Sequence, residues 1–271
     1  MLDDVLIVIK GAGDLATGVG MRLFHSGFPI VMTEIAEPTP VRRTVSFAEA
    51  IFEGEVTVED VAARRIEGSS EARATLAAGK IPILVDPAAK VVQELKPTVV
   101  VDAIMAKRNV GTKITDAPIV IALGPGFTAG VDAHAVVETN RGHYLGRVIL
   151  KGEAEPNTGV PGLVAGHGVE RVLRAPADGK LTSVKHIADY VEEGEVIGWV
   201  GGEPLKAPFK GIIRGLIGEK VSVFKGMKIG DVDPRAIPDH CFTVSDKALA
   251  IGGGVLEAVL MFLHERQEGR S

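Results

Sequence analysis

The segment Arg174-Ala175-Pro176-Ala177-Asp178-Gly179 recurs 32 residues later as Lys206-Ala207-Pro208-Phe209-Lys210-Gly211. The same offset carries Val191, Gly194, Ile197, Gly198 and Val200 onto Val223, Gly226, Ile229, Gly230 and Val232. Residues 174–200 and 206–232 therefore align without a gap, with eight identities in 27 positions, all at turn or apolar sites. That is the pattern of an internal duplication, and one such unit cannot bury its own apolar face. Two must pack together, which predicts a small two-sheet β module over residues 172–235.

The chain before the repeat has a different texture. Its 271 residues exceed one typical domain of ~150 residues. The run VLIVI, Val5 to Ile9, is continuous and β-branched, as in a strand buried on both faces, and it stops at Lys10-Gly11. A helix fits Asp14 to His25, with Leu15, Val19 and Leu23 at helical spacing and Gly27 beyond its end. Phe28 to Thr33 reads as a second strand, and Ile81 to Val85, Thr98 to Asp102 and Ile119 to Leu123 as further ones. Two helical segments are predicted between Thr57 and Ala78, one capped by Thr57 and one by Ser69 or Ser70. Alternating strands and helices predict a parallel sheet over residues 1–125 with helices on both faces. Ser245-Asp246 and the apolar residues after them predict a C-terminal helix that packs back on the first domain.

The net charge of -5, from 30 Lys+Arg against 35 Asp+Glu, offers no general attraction to nucleic acid or anionic lipid. The single cysteine, Cys241, excludes an internal disulfide. The N-terminus is acidic ahead of its short apolar run, the reverse of a signal peptide, so a cytoplasmic location is expected. The stretch Ala248 to Leu263, broken by Glu257 and three glycines, reads as too short and too polar to span a bilayer.

Four features of the sequence point to chemistry. Gly11-Ala12-Gly13-Asp14-Leu15-Ala16 satisfies G-x-G-x-x-[G/A] between a strand and a helix, with Glu34 21 residues after Gly13. Small residues there let the backbone approach a pyrophosphate, while Glu34 would accept from a ribose hydroxyl. Asp14 counts against this reading, because a carboxylate in the first helical turn can satisfy the same amides. The plain alternative is a glycine turn that only closes a βα unit.

The second group is Asp132, His134 and Glu138 on one predicted strand face, with Arg141 and His143 after a turn and the Gly124-Pro125-Gly126-Phe127 loop upstream. It could bind an oxyanion or move a proton, although no metal-spacing signature is present, and a solvated strand face is the plain alternative. Third, Arg42-Arg43 follows the second strand, where guanidiniums suit a phosphate. Cys241 beside His240 is a candidate thiol nucleophile or a buried small hydrophobe.

With these residues in view, the chain resembles the YqeB-type accessory proteins of selenium-dependent molybdenum hydroxylase systems. The resemblance rests on GAGDLATG at 11–18, MTEIAEPTPVRRTVSFAEAIFEGEVTVE at 32–59, VVDAIMAKRN at 100–109 and GPGFTAGVDAHAVVETNRGHYLGRVI at 124–149. KIGDVDPR at 228–235 and SDKALAIGGGVLEA at 245–258 continue it. It implies a role in molybdenum hydroxylase maturation, with a client hydroxylase as partner and a small-molecule nucleotide ligand, such as a molybdenum cofactor dinucleotide or another nucleotide. Homo-oligomerisation stays open.

The duplicated module also resembles the biotinyl/lipoyl barrel-sandwich architecture. Its central hairpin, Trp199 to Leu205, lacks a lysine and Lys206 abuts the Ala-Pro, so a non-carrier docking module is expected. The resulting expectation is an α/β chain of three parts. A Rossmann-like parallel-sheet domain spans 1–150, a β-rich barrel-sandwich hybrid 151–240, and a helix in 241–271 returns to the first domain. Expected cofactor-binding residues are Gly11, Gly13, Asp14, Glu34, Arg42, Arg43, Gly124 and Gly126. Cys241, His134 and His143 are the candidates if the chain is a selenium- or sulfur-transferring enzyme. An NAD(P)-dependent oxidoreductase is the third reading.

Overall fold

The computed structural model describes residues 2–157, 159 and 164–269. It divides into a larger unit, Met1–Ala36 with Phe47–Asn157 and Val244–Ser271, and a smaller one, Glu37–Ser46 with Thr158–Thr243.

In the larger unit, β1 (Ile7–Lys10) leads through α1 (Asp14–His25) to β2 (Ile30–Glu34). After the one-turn α2 (Ala50–Glu53), a hairpin of β3 (Glu55–Val58) and β4 (Val61–Ile66) is followed by α3 (Ala72–Ala77) and β5 (Ile81–Val85). Then come α4 (Val91–Leu95), β6 (Val99–Asp102), β7 (Ile119–Leu123), β8 (Thr128–Ala129), β9 (Ala135–Val137), β10 (Val148–Ile149) and β11 (Gly152–Glu153). Nine of these strands form one sheet in the order β10-β9-β7-β6-β1-β2-β5-β4-β3, while β8 and β11 pair as a separate ribbon.

Residues 55–66 correct the expectation of a helix capped by Thr57. Val58, Val61, Ala63 and Ile66 are buried along the two strands, and Glu59 turns the chain at φ 54. A β-branched alternating run joined by a two-residue turn favours the hairpin over a helix.

The pleat divides the core between the two faces of the sheet. Val8, Val31, Val100, Val120 and Val136 pack with Ala72 of α3 and Val91 and Val92 of α4. The alternate residues Ile7, Ile9, Val99, Val101 and Ile121 are equally buried on the side taken by α1 and α5 (Asp246–Gln267). Among the described residues, α5 is the one helix long and apolar enough to cross a bilayer by length and composition, which the broken run Ala248–Leu263 did not suggest. Its stripe of Ala248, Ile251, Val255, Ala258 and Val259 is buried where it packs on α1.

The smaller unit preserves the duplication strand by strand. The first half is β12 (Val172–Arg174), β13 (Gly179–Ser183), β14 (Tyr190–Val191) and β15 (Val196–Val200). The second is β16 (Glu203–Lys206), β17 (Gly211–Leu216), β18 (Ser222–Val223) and β19 (Lys228–Asp233). The sheets run β12-β19-β17-β14 and β16-β15-β13-β18. Replacing each strand by its repeat partner converts one sheet into the other, so every sheet needs both halves.

The expected Rossmann-like parallel sheet followed by a biotinyl/lipoyl-type barrel-sandwich hybrid is corrected to a mixed α/β arrangement with four sheets. The β3–β4 and β9–β10 pairs are antiparallel. β6 reaches β7, and β7 reaches β9, without a crossover helix. The smaller unit also takes in residues 37–46, where the Leu216 amide donates to the Val41 carbonyl at 2.8 Å.

Helices α1 and α5 approach through glycine. A Cβ on Gly252 would lie 2.7 Å from the Gly18 carbonyl oxygen and 2.8 Å from Arg22 Cγ, whereas one on Gly253 would meet nothing within 4 Å. Gly253→Ala should therefore raise thermal stability by about 1 kcal/mol through helix propensity. Gly252→Ala should lower it by about 1–3 kcal/mol through overpacking. Calorimetry on the two variants checks the opposite signs.

Candidate functional site

The larger unit's residues of interest gather at the carboxyl ends of β1, β6, β7 and β9, where open α/β sheets hold ligands. Gly11 (φ 95) is required there, because a Cβ would lie 2.9 Å from the Ala103 carbonyl oxygen. Two of the nearby amides already have carboxylate partners. Ala12 N donates to Glu34 Oε2 at 2.9 Å and Leu15 N to Asp14 Oδ1 at 2.9 Å. The other Glu34 oxygen accepts from Ile35 N at 2.8 Å. Glu34 thus buttresses the turn, and burial raises its carboxyl above the usual range against the pull of those two amides. Residues 47–48 close over the turn, with Phe47 N donating to Thr17 Oγ1 at 2.9 Å and Ala48 N to Ala12 O at 2.8 Å.

A cationic group stands beside this turn. Lys247, in the first turn of α5, is pushed below the ordinary lysine range by burial and by the charges of Arg141 and Lys107, against the opposing pull of Asp14 and Glu138. Arg141 makes a bidentate pair with Asp246, at 2.7 and 2.9 Å. Glu138 is buried and accepts from the Asn140 and Glu155 amides at 2.6 and 2.7 Å. Lys107 and Met105 both sit at φ 60 in the loop after β6, a strained conformation of the sort that concentrates at functional sites. The neighbouring Gly126 belongs to the same packing, since a Cβ there would lie 2.6 Å from Arg108 Cα, while one on Gly124 would meet Thr139 Oγ1.

The predicted face of Asp132, His134 and Glu138 does not form as one strand, because β9 covers only Ala135–Val137. Asp132 instead closes a turn through the Thr128 amide at 2.8 Å. His134 precedes the strand and accepts the Val120 amide at Nδ1, 2.9 Å away. Burial holds it below the usual imidazole range, with Arg266 adding to the effect. Its ring lies 5.8 Å from that of Phe262. His143 is exposed and edges onto Tyr144 at 5.0 Å. The two histidines are therefore not a pair.

Arg42, Arg43 and Cys241 belong to the smaller unit. Arg42 donates to the His240 and Thr243 carbonyls, both at 3.2 Å, and Arg43 to the Leu216 carbonyl at 2.8 Å. Cys241 is wholly buried, with Sγ 3.6 Å from the Ile213 carbonyl. Burial pushes the thiol up, against Arg214 and Arg42, and an inert buried thiol is the result. Asp233, 0% exposed, is bound by Arg235 at 2.6 and 2.9 Å and faces Arg214 at 3.6 Å.

Lys10, Asp102 and Thr112 were missed by sequence reasoning. All three are buried, and Lys10 Nζ donates to Thr112 Oγ1, which donates to Asp102 Oδ2, each at 2.5 Å. The available signal was a charged residue closing each of two buried strands, VLIVIK and VVVD. Among the described residues no three His, Cys, Asp or Glu side chains converge as metal ligands.

The fold and site thus define a two-unit α/β chain with cations gathered at the carboxyl edge of its main sheet. It is a homologue of the Escherichia coli (strain K12) protein YqeB, itself described as uncharacterized, at 55% identity over 260 residues, which supports membership of the YqeB family. The match covers 96% of this chain and 48% of the relative, so the chain spans about half that protein's length. No family model matches. Solved structures with slight likeness include an aspartoacylase family protein from Mesorhizobium loti, at 12% identity and TM-score 0.26 over 85% of this chain and 84% of that one. A succinylglutamate desuccinylase/aspartoacylase from Rhodobacter sphaeroides shows the same identity and TM-score over 85% and 86%. Scores this low transfer no activity.

Burial works to raise the Asp233 carboxyl, but Arg235 and Arg214 outweigh it and hold the group below the usual value of 3.8. A depressed carboxyl contributes stability above the unfolded value and loses it as pH falls through the folded one. Asp233→Asn should therefore cost about 3 kcal/mol at pH 7. The deficit should shrink below about pH 4 as the parent protein protonates, as denaturant titrations across pH would measure.

Proposed function

We propose that the chain is an accessory protein in the maturation of selenium-dependent molybdenum hydroxylases and binds a nucleotide-bearing ligand, such as a molybdenum cofactor dinucleotide, at the carboxyl edge of its larger sheet. The observation that carries the reading is the setting of Lys247. Lys247 is half-buried, and burial and the like charges of Arg141 and Lys107 both bear on it, so a phosphate would offset both the burial and the repulsion. The acids nearby are already engaged, Glu138 by two amides and Asp14 by Leu15.

The ligand's phosphates would be held by Lys247, Lys107 and Arg141 rather than by a wholly open glycine turn. The smaller unit, whose β15–β16 hairpin carries no lysine between Trp199 and Leu205, is the docking module for a client hydroxylase on this reading. A selenium or sulfur carrier role for Cys241 draws little support from its complete burial. A cytoplasmic location is part of the same proposal.

Mass spectrometry of small molecules released from protein purified with its client tests the reading. A nucleotide is expected with the parent chain. It should fall at least about tenfold, equivalent to ~1.4 kcal/mol, in the Lys107→Ala/Lys247→Met variant. Retention of the nucleotide by that variant, or its absence from the parent, would overturn the assignment.

A further inference from the structure

The α4-bearing face of the larger sheet, opposite that of α1 and α5, carries a groove of about 910 Å³. It opens between α4 with the residues that follow it and residues 111–118. The pleat that sends Val8 to this face sends Lys10 there too, at the end of the strand. Lys10 is 7% exposed and lines the groove.

Lys10 Nζ donates to Thr112 Oγ1 at 2.5 Å and stands 4.0 Å from Asp102 Oδ2. A lysine has three donors, so one bond to Thr112 leaves this nitrogen able to bind a guest. Lys96 and Lys113 also line the groove, and both are exposed. Asp116, the acid lining it, is turned toward the Lys113 amide, which it accepts at 3.1 Å. Ala89 and Lys96 hold φ 49 and φ 47, strained positions for residues with a Cβ. Ala89, Val92 and Pro118 supply an apolar wall. The volume falls in the range of about 300–1,000 Å³ usual for small-molecule sites.

We propose that this groove is a second binding site, which takes a small molecule through an oxyanion, phosphate or carboxylate, held by Lys10 at the floor and by Lys96 and Lys113 at the rim. An uncharged, partly apolar body lies along Ala89, Val92 and Pro118. This site is independent of the cluster around Lys247, which α5 carries on the other face.

Phenyl phosphate, benzoate and neutral benzyl alcohol, each titrated into the full chain by calorimetry and ligand-observed NMR, test the proposal. Binding of at least one oxyanion is expected, and whichever of the two binds more tightly identifies the group. Benzyl alcohol should bind at least about tenfold more weakly. The exposed pair Lys96→Ala/Lys113→Ala should lose about tenfold in affinity at the groove, and Lys10→Met should abolish binding there. If Lys10→Met does not fold, the exposed pair decides. Failure of both oxyanions to bind, equal binding of benzyl alcohol, or full affinity in the Lys96/Lys113 variant would overturn the proposal.

Discussion

The close crossing of α1 and α5 sets the larger unit's chemistry. Gly18 and Gly252 let the two helices meet at a separation that no side chain would allow, and α5 lies along β7, β9 and β10 as a result. The same helix is clamped to the loop after β9. A Cβ on Gly254 would lie 2.1 Å from the Gly146 carbonyl oxygen, and one on Gly146 2.6 Å from that of Ala250. These two contacts bring Ser245, Asp246 and Lys247 to the loop that carries Arg141. A helix so apolar could be taken for a membrane span by composition. Here its buried stripe forms a core, and its first turn delivers charge to the sheet edge.

Hydrogen bonding then decides which charges remain available. Glu34, Asp14 and Glu138 resemble ligand-binding carboxylates in sequence, yet each accepts a backbone amide. They fix the loops and leave the lysines to face outward chemistry. The smaller unit uses its arginines differently: Arg42 and Arg43 bond to carbonyls, Arg171 pairs with Asp231 at 2.7 Å, and Arg235 neutralises Asp233. Paired guanidiniums that look like phosphate ligands in sequence are there the struts of a β lobe.

Much of the framework was legible because its causes are local. α1 spans Asp14–His25, the span its apolar spacing implies, and Ser245 caps α5 by accepting Ala248 N at 3.2 Å. The offset of 32 residues places every strand of the second half on its partner in the first. What failed depends on contacts distant in sequence. The 55–66 hairpin rests on pairing with β5 through Ala63–Ile66, and residues 37–46 leave their neighbours to join Leu216. His134 and His143 are nine positions apart, but a three-residue strand and a long loop send them to different surroundings. Lys10 and Thr112 meet across 102 positions, a separation that no local pattern encodes.

The pairing of β12 with β19, Val172 opposite Asp231, brings the start and finish of the duplicated lobe onto adjacent strands. Neighbouring strands lie about 4.8 Å apart, so the two ends of the duplication are tied to each other by main-chain hydrogen bonds. Neither half completes a sheet alone, and the loops between its strands can change in length without breaking that closure. What began as two copies is thus one indivisible lobe, because losing either end would leave its partner strand with an unpaired edge.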